Sequence, residues 1–341
     1  MPSIPQASMP GGPAVLPIGF PSTVVLGATG RLGRMVRACW QNFNHHAPIT
    51  WLGGPQSAGG CDPLAQPEAF REILRRSRPK VIVSFAGRVP EPVSTPEEAA
   101  SLLAEHSALA RAICRAAHDA EGTHPVYVFL ASSAAVYGAA EHSESGLAEN
   151  TRLPINLPPY GEAKRAMEEA ALVMRQAGAM VSVLRIGNVA GADAILGGWR
   201  PGFALDTLAD GTTPTRSYLS GLDLADVLAL LVCRAAYAPG SLPFALNVAL
   251  PGAVAMGALL DAADMAWTPR PAREGQQRPI ARVILDVRRL EMSLQTLPDG
   301  FGKSEELFQR RSPRALASHI VARYRLGAQL YDGMDYREDW Q

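Results

Sequence analysis

An apolar tetrad running straight into a glycine-rich turn constrains this chain more than any other feature. It reads Thr23-Val24-Val25-Leu26, then Gly27-Ala28-Thr29-Gly30-Arg31-Leu32-Gly33. The tetrad has the pattern of a short buried strand, and helical sequence follows the turn over 34–40. Strand, glycine turn and helix in that order form a phosphate cradle. Glycines permit the tight turn and let a pyrophosphate approach the N–H groups at the positive end of the helix. A G-x-x-G-x-x-G spacing alone is a weak motif, because any tight strand-to-helix turn can carry glycines. Its place at the first strand of the folded region makes Gly27, Thr29, Gly30, Arg31, Leu32 and Gly33 candidates for dinucleotide binding.

Downstream, the chain keeps alternating. Apolar strands are expected at 49–52, 81–87 and 126–130, and the spacing predicts helices over 67–76 and 96–118 between them. That alternation predicts an α/β fold, a Rossmann-like doubly wound parallel sheet with its ligands at the carboxyl ends of the strands. The second strand should end on an acid that grips the adenosine ribose, yet the chain reads Gly53-Gly54-Pro55, and no carboxylate appears before Asp62. Arg31 and Arg34 either supply positive charge for a 2′-phosphate or form a solvated helix start, so the choice between NAD and NADP stays open. Asp62 either meets the adenine or serves a turn before the next helix. The third strand ends in Ala86-Gly87, small residues that leave space for a cofactor. His106 and His118 are single histidines on a helix and read as structural or surface residues.

The fourth strand delivers Ser132-Ser133-Ala134-Ala135-Val136-Tyr137-Gly138, and Tyr160-Gly161-Glu162-Ala163-Lys164 opens a helix. Residues four apart share a helix face, so the Lys164 ammonium is placed to lower the Tyr160 phenol. Such a phenol can exchange a proton near neutral pH, and Ser133 can hold a substrate oxygen against it. An ordinary exposed helix pair has the same spacing. What favours chemistry is that the glycine turn, Ala86-Gly87 and Ser133 all fall at one edge of the predicted sheet.

Composition removes several alternatives. Lys and Arg total 32 and Asp and Glu total 32, so there is no net field to draw nucleic acid or an anionic membrane. The four cysteines, Cys39, Cys61, Cys114 and Cys233, are scattered and form no C-x-x-C pair. Neither a zinc site nor a disulfide framework is expected, and a reducing cytoplasm fits. The most apolar run, 227–232, is too short to span a bilayer, and the N-terminal sequence lacks the basic-then-apolar plan of a signal peptide.

Taken together, the glycine turn, the Ser132–Gly138 run and the Tyr160–Lys164 pair resemble the extended short-chain dehydrogenase/reductase superfamily, in its NAD-dependent epimerase/dehydratase branch. The resemblance covers roughly 23–294. It implies Ser133 as the catalytic hydroxyl, Tyr160 as the acid/base, and Lys164 as the residue that tunes the tyrosine and holds the nicotinamide ribose. Leu184-Arg185-Ile186-Gly187-Asn188-Val189-Ala190-Gly191 is similar to the loop leading into the family's sugar-nucleotide pocket, which implies that Asn188 faces substrate. Arg216 resembles the arginine that meets a substrate diphosphate, and Arg273 falls in the family's closing loop. Asp223 and Asp226 read instead as capping or pairing residues. In resembling 4,6-dehydratases an Asp-Glu pair follows the serine or threonine; here those positions are Ala134 and Ala135, and methyl groups exchange no protons. Ser-Ala-Ala-Val-Tyr-Gly is close to the 4-epimerase pattern.

The expectation is therefore a nucleotide-sugar epimerase using NAD or NADP. A reductase of a keto-sugar or other carbonyl compound is the second reading, and a dinucleotide-binding sensor or scaffold the third. The expected organisation is a Pro-rich leader (1–21), a nucleotide domain (22–187 with 219–249), a smaller substrate domain (188–218 with 250–330) and a flexible tail (331–341). Helices 96–118 and 160–177 are candidates for a homodimer interface.

Overall fold

The computed structural model describes residues 19–43, 47–57, 59–88, 95–120, 125–140, 146–271, 279–295 and 304–330. Most of the expected leader (1–18), the whole expected tail (331–341) and the loop holding Arg273 (272–278) lie outside the described residues. At the leader's end Phe20 is buried and meets Trp40 edge-on at 5.4 Å.

The chain begins β1 (Thr23–Leu26), α1 (Arg31–Phe43), β2 (Ile49–Leu52), α2 (Pro67–Ser77), β3 (Val81–Ser84) and α3 (Pro96–Asp119). It continues with β4 (Tyr127–Ser133), α4 (Pro159–Gln176) and β5 (Val181–Ile186). Four short strands follow: β6 (Asn188–Ala190), β7 (Ala204–Thr207), β8 (Thr215–Arg216) and β9 (Tyr218–Ser220). After α5 (Gly221–Tyr237) the strand β10 (Ala245–Val248) returns to the main sheet. The remaining elements are β11 (Val254–Ala255), α6 (Met256–Ala262), β12 (Thr268–Pro271), β13 (Arg282–Val283), α7 (Arg288–Leu294), α8 (Ser304–Leu307) and α9 (Pro313–Leu330).

Six strands form one parallel sheet in the order β10-β5-β4-β3-β1-β2. Parallel strands need both faces covered, and their apolar runs meet that need. Val25, Val83, Phe129 and Leu184 point to the face covered by α1 and α5; Val24, Leu26, Ile82, Val128 and Val183 point to the face covered by α2, α3 and α4. The chain places β2 on one side of β1 and then crosses to β3 on the other, so the order reverses between β1 and β3. Ligands of doubly wound sheets bind at that switch point, outside the carboxyl ends.

The apolar run 227–232 lies in α5, which is buried on nearly all sides, and such a helix is apolar all round. Among the described residues no helix is long and apolar enough to cross a membrane. Beyond the sheet, β11, β8 and β13 make a small sheet next to β5's end, while β6 pairs with β9 and β7 with β12. The last helix, α9, packs against α6 and β11 on one side and α1 and α5 on the other.

Candidate active site

The glycine turn closes as its sequence requires. Gly27 has φ +74°, and a Cβ on it would lie 2.8 Å from Ala86 N. On Gly33 a Cβ would lie 2.1 Å from Gly27 O, so this glycine sets how closely α1 approaches β1. Gly30 differs: a Cβ there meets only Gly27 O, at 3.4 Å. Thr29, Gly30, Arg31 and Leu32 line a cavity of about 770 Å³ at the switch point.

The far wall of that cavity is built by β4, α4 and β5. Ser133 ends β4 in an extended conformation and caps the short 3-10 turn 134–137, its Oγ accepting from Ala135 N–H at 3.1 Å. Helix α4 starts at Pro159, where a missing N–H costs nothing. Gly161 lets it come close to that turn, since a Cβ there would lie 2.8 Å from Ala135 O. The approach sets Tyr160 beside Ser133, which hydrogen-bonds to the phenol. Gly87, Ser133, Tyr160, Lys164 and Asn188 all line the cavity, so the tyrosine–lysine spacing is a site wall and not an exposed helix pair.

The electrostatics differ from the sequence expectation. Burial pushes the Tyr160 phenol above its ordinary range, with the Ser133 hydrogen bond opposing, and Lys164 is not among the causes. The Lys164 ammonium donates to Ala131 O at 2.8 Å and lies 5.6 Å from the Tyr160 ring centroid. Burial lowers its own pKa to about 8, while Glu168, one turn further along α4, holds it up. The lysine thus sits beside the ring and is bound to backbone.

A second cavity of about 250 Å³ shares Ser133, Ile186, Gly187 and Asn188 with the first, and adds Ala134, Ala135 and Arg216. Asn188 stands opposite Tyr218 in the β6–β9 register. The Arg216 guanidinium donates to Thr215 O at 2.9 Å and Ile280 O at 2.8 Å, and burial lowers its pKa. Among the described residues no carboxylate pairs with it.

Several candidates fall elsewhere. Ala86 does not line the main cavity, although Phe85 and Gly87 do; it lines a small void with His106. Asp62 serves the turn, accepting Leu64 N–H at 2.8 Å, and does not line the cavity. Gly27 and Gly33 act through backbone packing. His106 is structural: its Nε2 meets Arg88 O at 3.0 Å, and burial first, then Lys164, lowers its pKa to about 4. Asp223 caps α5 through Ser220 N–H at 2.8 Å, and both Asp223 and Asp226 pair with Arg323.

A buried polar layer beneath the site was not anticipated. Glu168 receives Arg185 on both carboxylate oxygens, at 3.0 and 2.7 Å, and Ser132 Oγ at 2.5 Å. Arg185 also donates to the Tyr137 hydroxyl at 3.0 Å, which in turn donates to Asn247 Oδ1 at 2.8 Å on β10. The available signal was a lone arginine and a lone asparagine inside otherwise apolar strands, with a glutamate four residues after Lys164. Asp193 was missed too: it lines the cavity, its Oδ1 accepts three backbone N–H groups of loop 191–197, and burial raises its pKa to about 6.

A doubly wound parallel sheet, a glycine turn at its switch point, and a serine, tyrosine and lysine on the wall of the adjoining cavity define an extended short-chain dehydrogenase/reductase fold. The family model described as "NAD dependent epimerase/dehydratase family" matches residues 23–234. The chain belongs to that family, whose members are enzymes. No match was found among curated protein sequences. Among solved structures, the chain is similar to a UDP-glucose-4-epimerase from Stenotrophomonas maltophila with bound NAD and formylated UDP-arabinopyranose. That pair has 15% identity and TM-score 0.67, covering 91% of this chain and 99% of the other. It is also similar to a UDP-glucose 4-epimerase from Bifidobacterium longum in complex with NAD+ and UDP (15% identity, TM-score 0.64, 91% and 99% covered). RMD from Pseudomonas aeruginosa, complexed with NADPH, aligns at 17% identity and TM-score 0.61, with 89% and 98% covered. At these identities the likeness is one of fold.

Proposed function

We propose that this chain is an NAD(P)-dependent nucleotide-sugar epimerase working by transient hydride transfer, with Tyr160 as acid/base. The observation carrying this reading is that Ser133, Tyr160 and Lys164 share one cavity wall with the glycine turn opposite and the Arg216 cavity alongside. The residues fit a dinucleotide. Gly30 leaves room that a side chain would fill on the ligand side, because no protein atom there excludes a Cβ. Thr29, Gly30, Arg31, Leu32, Gly87 and Lys164 would hold it. When bound, its nicotinamide supplies a reversible hydride acceptor.

Tyr160 takes the proton from a substrate hydroxyl as hydride leaves the carbinol carbon, and returns it when hydride comes back to the opposite face. Ser133 holds the reacting oxygen. Asn188 and Arg216 hold the nucleotide diphosphate, since a planar guanidinium bonded only to backbone carbonyls has charge left for phosphate oxygens. The UDP-containing ligands of two similar structures support that substrate class. Ala134 and Ala135 line the substrate cavity where a carboxyl pair would be needed for elimination, so no water is lost from the sugar.

The division into a nucleotide domain (22–187 with 219–249) and a substrate domain (188–218 with 250–330) belongs to this reading. So does a homodimer through α3 and α4, supported by the exposed Leu172 and Val173 on α4. A cytoplasmic setting agrees with four buried free thiols.

Incubation with a panel of nucleotide sugars, followed by proton NMR of the sugar and by nicotinamide absorbance, tests the proposal. Epimer formation without net absorbance change is expected, and Tyr160→Phe should lower turnover about 10²–10⁴-fold while dinucleotide binding persists. Full turnover by Tyr160→Phe, or binding without turnover of any sugar, sinks it. A reductase is the second reading, since Ser133 and Tyr160 on one cavity wall can equally hold and protonate a carbonyl oxygen. Stoichiometric oxidation of reduced cofactor identifies that case.

A further inference from the structure

Five residues after Asn188, beyond the turn at Gly191 with its φ of +90°, the chain carries Asp193. Its Oδ1 accepts N–H groups from Gly191, Leu196 and Gly197 at 3.3, 3.0 and 3.3 Å, and a Cβ on Gly197 would lie 2.3 Å from Gly191 O. The loop is therefore closed tightly around this carboxyl. Its other oxygen, Oδ2, is inaccessible and completes no hydrogen bond, and the same is true of the Tyr218 hydroxyl. Unpaired buried polar atoms are costly, so what lies beside these two matters.

Tyr218 is wholly buried on β9, opposite Asn188 in the β6–β9 register. The Asp193 carboxyl and the Asn188 amide are hydrogen-bonding neighbours of its hydroxyl, near enough to act on its proton though short of full bond geometry. The chemistry of the three groups gives these contacts a direction. Burial raises the Asp193 carboxyl to about 6, so at neutral pH it is ionised and only accepts. Burial, then Asp193, holds the Tyr218 phenol well above its ordinary range, so it keeps its one proton. That proton goes to Asp193 Oδ2, and the phenol oxygen is left to accept from the Asn188 amide. Asn188 itself lines both cavities.

We infer that Asp193 is a positioning residue for substrate: through the Tyr218 hydroxyl it holds the Asn188 amide in one orientation. This rests on the reading above, in which Asn188 holds the nucleotide diphosphate. An amide fixed from behind loses no rotational freedom when ligand arrives, whereas a free one must be ordered at that moment. Asp193 thus reaches substrate through two other side chains.

Titration of the full chain with UDP reads this without turnover. Asp193→Asn keeps an oxygen for the three backbone N–H groups and puts a second donor against Tyr218, while Tyr218→Phe removes the link outright. Each should weaken UDP by about threefold to tenfold, the cost of ordering one side chain. The two together should lose no more than either alone, and neither should lose anything further in an Asn188→Ala background, because residues acting through one contact are not additive. A loop that merely collapsed would weaken UDP in that background too. Full UDP affinity in a folded Asp193→Asn protein, judged by its melting curve, or losses that simply add, overturn the inference. A parent that binds no UDP overturns instead the substrate reading beneath it. A crystal structure of the parent then decides the contacts with no ligand or variant needed: a Tyr218 hydroxyl bonded to both Asp193 and Asn188 is expected, and one that misses either overturns the inference.

Discussion

The three glycines of the first turn do different work, although their spacing makes them look equivalent. At Gly27 a positive φ and the Ala86 backbone at 2.8 Å both exclude a side chain, and at Gly33 the Gly27 carbonyl does. At Gly30 the protein itself raises no such objection. Gly27→Ala should therefore lower stability by about 2 kcal/mol or more through strain and displaced backbone. Gly30→Ala should melt within about 0.5 kcal/mol of the parent, as an ordinary surface change does, and yet bind dinucleotide markedly more weakly. Thermal melts paired with titration check both, and a Gly30→Ala protein with full affinity removes this glycine from the cofactor site. Tyr160 and Lys164 show how far residue-level reading reaches. Their shared helix face is local and legible, but the direction of each pKa depends on burial by β4 and α3, which no spacing records.

At the scale of elements, α4 presents Tyr160 and Lys164 to the cavity and Glu168 to the strand behind it. Arg185 in the middle of β5 meets Glu168 with both groups nearly inaccessible. Such a pair contributes little net stability, but breaking it strands a buried charge, at a cost of about 3–5 kcal/mol. Glu168→Gln should show that loss, with a second effect on Lys164. Without the carboxylate, the lysine loses the one group holding its pKa up at about 8. The pH–rate profile of the variant should then lose its alkaline side at lower pH than the parent; a uniform drop with unchanged shape would make Glu168 a packing residue only. For stability the sign is opposite to that of a lysine gaining a partner. The folded chain releases the Lys164 proton near pH 8 and the unfolded chain near 10.5, so stability rises across that window. Ala134 and Ala135 sit on the turn between β4 and α4 and line the smaller cavity, which under the proposed function is what makes their lack of a carboxyl chemically meaningful.

At the scale of the whole molecule, α9 ties the end of the described chain back onto α1 and α5. Arg323 reaches Asp223 at 2.6 Å and Asp226 at 2.5 Å, both buried on α5, and His319 stands 3.6 Å from Asp223. The His319, Arg323 and Ser220 contacts hold the Asp223 carboxyl below its ordinary 3.8, against the effect of its burial. A depressed carboxylate stabilises the fold above its unfolded pKa and loses that contribution as pH falls through the folded value. Arg323→Met should destabilise by about 3–5 kcal/mol at neutral pH, with the gap to the parent narrowing as pH falls below about 4 and the stranded carboxylates protonate. Melting curves across pH check this, and a gap independent of pH would reduce Arg323 to its packing. Tyr324 of the same helix lies where a Cβ on Gly191 would be, 2.6 Å from its ring, so α9 also backs the loop that carries Asp193.

By itself the sequence determined the parallel sheet, the glycine cradle and the Ser133, Tyr160 and Lys164 set. Strand and helix periodicity, turn glycines and an i, i+4 pair are local properties, expressed within a few residues. The absence of an acid after β2 was equally plain, because it is a matter of composition. Only the tertiary structure decided that Ala86 lies off the main cavity, that Asp62 serves a turn, that Gly53 has no space for a side chain, and that burial lowers the Lys164 pKa. Desolvation causes the last of these, and the buried polar contacts beneath and behind the site likewise join elements separate in the chain: Arg185 meets Glu168, Asn247 meets Tyr137, Arg323 meets Asp226. The pattern at the start of the chain thus specifies a doubly wound fold, and the packing of separate elements sets the surroundings of its candidate site.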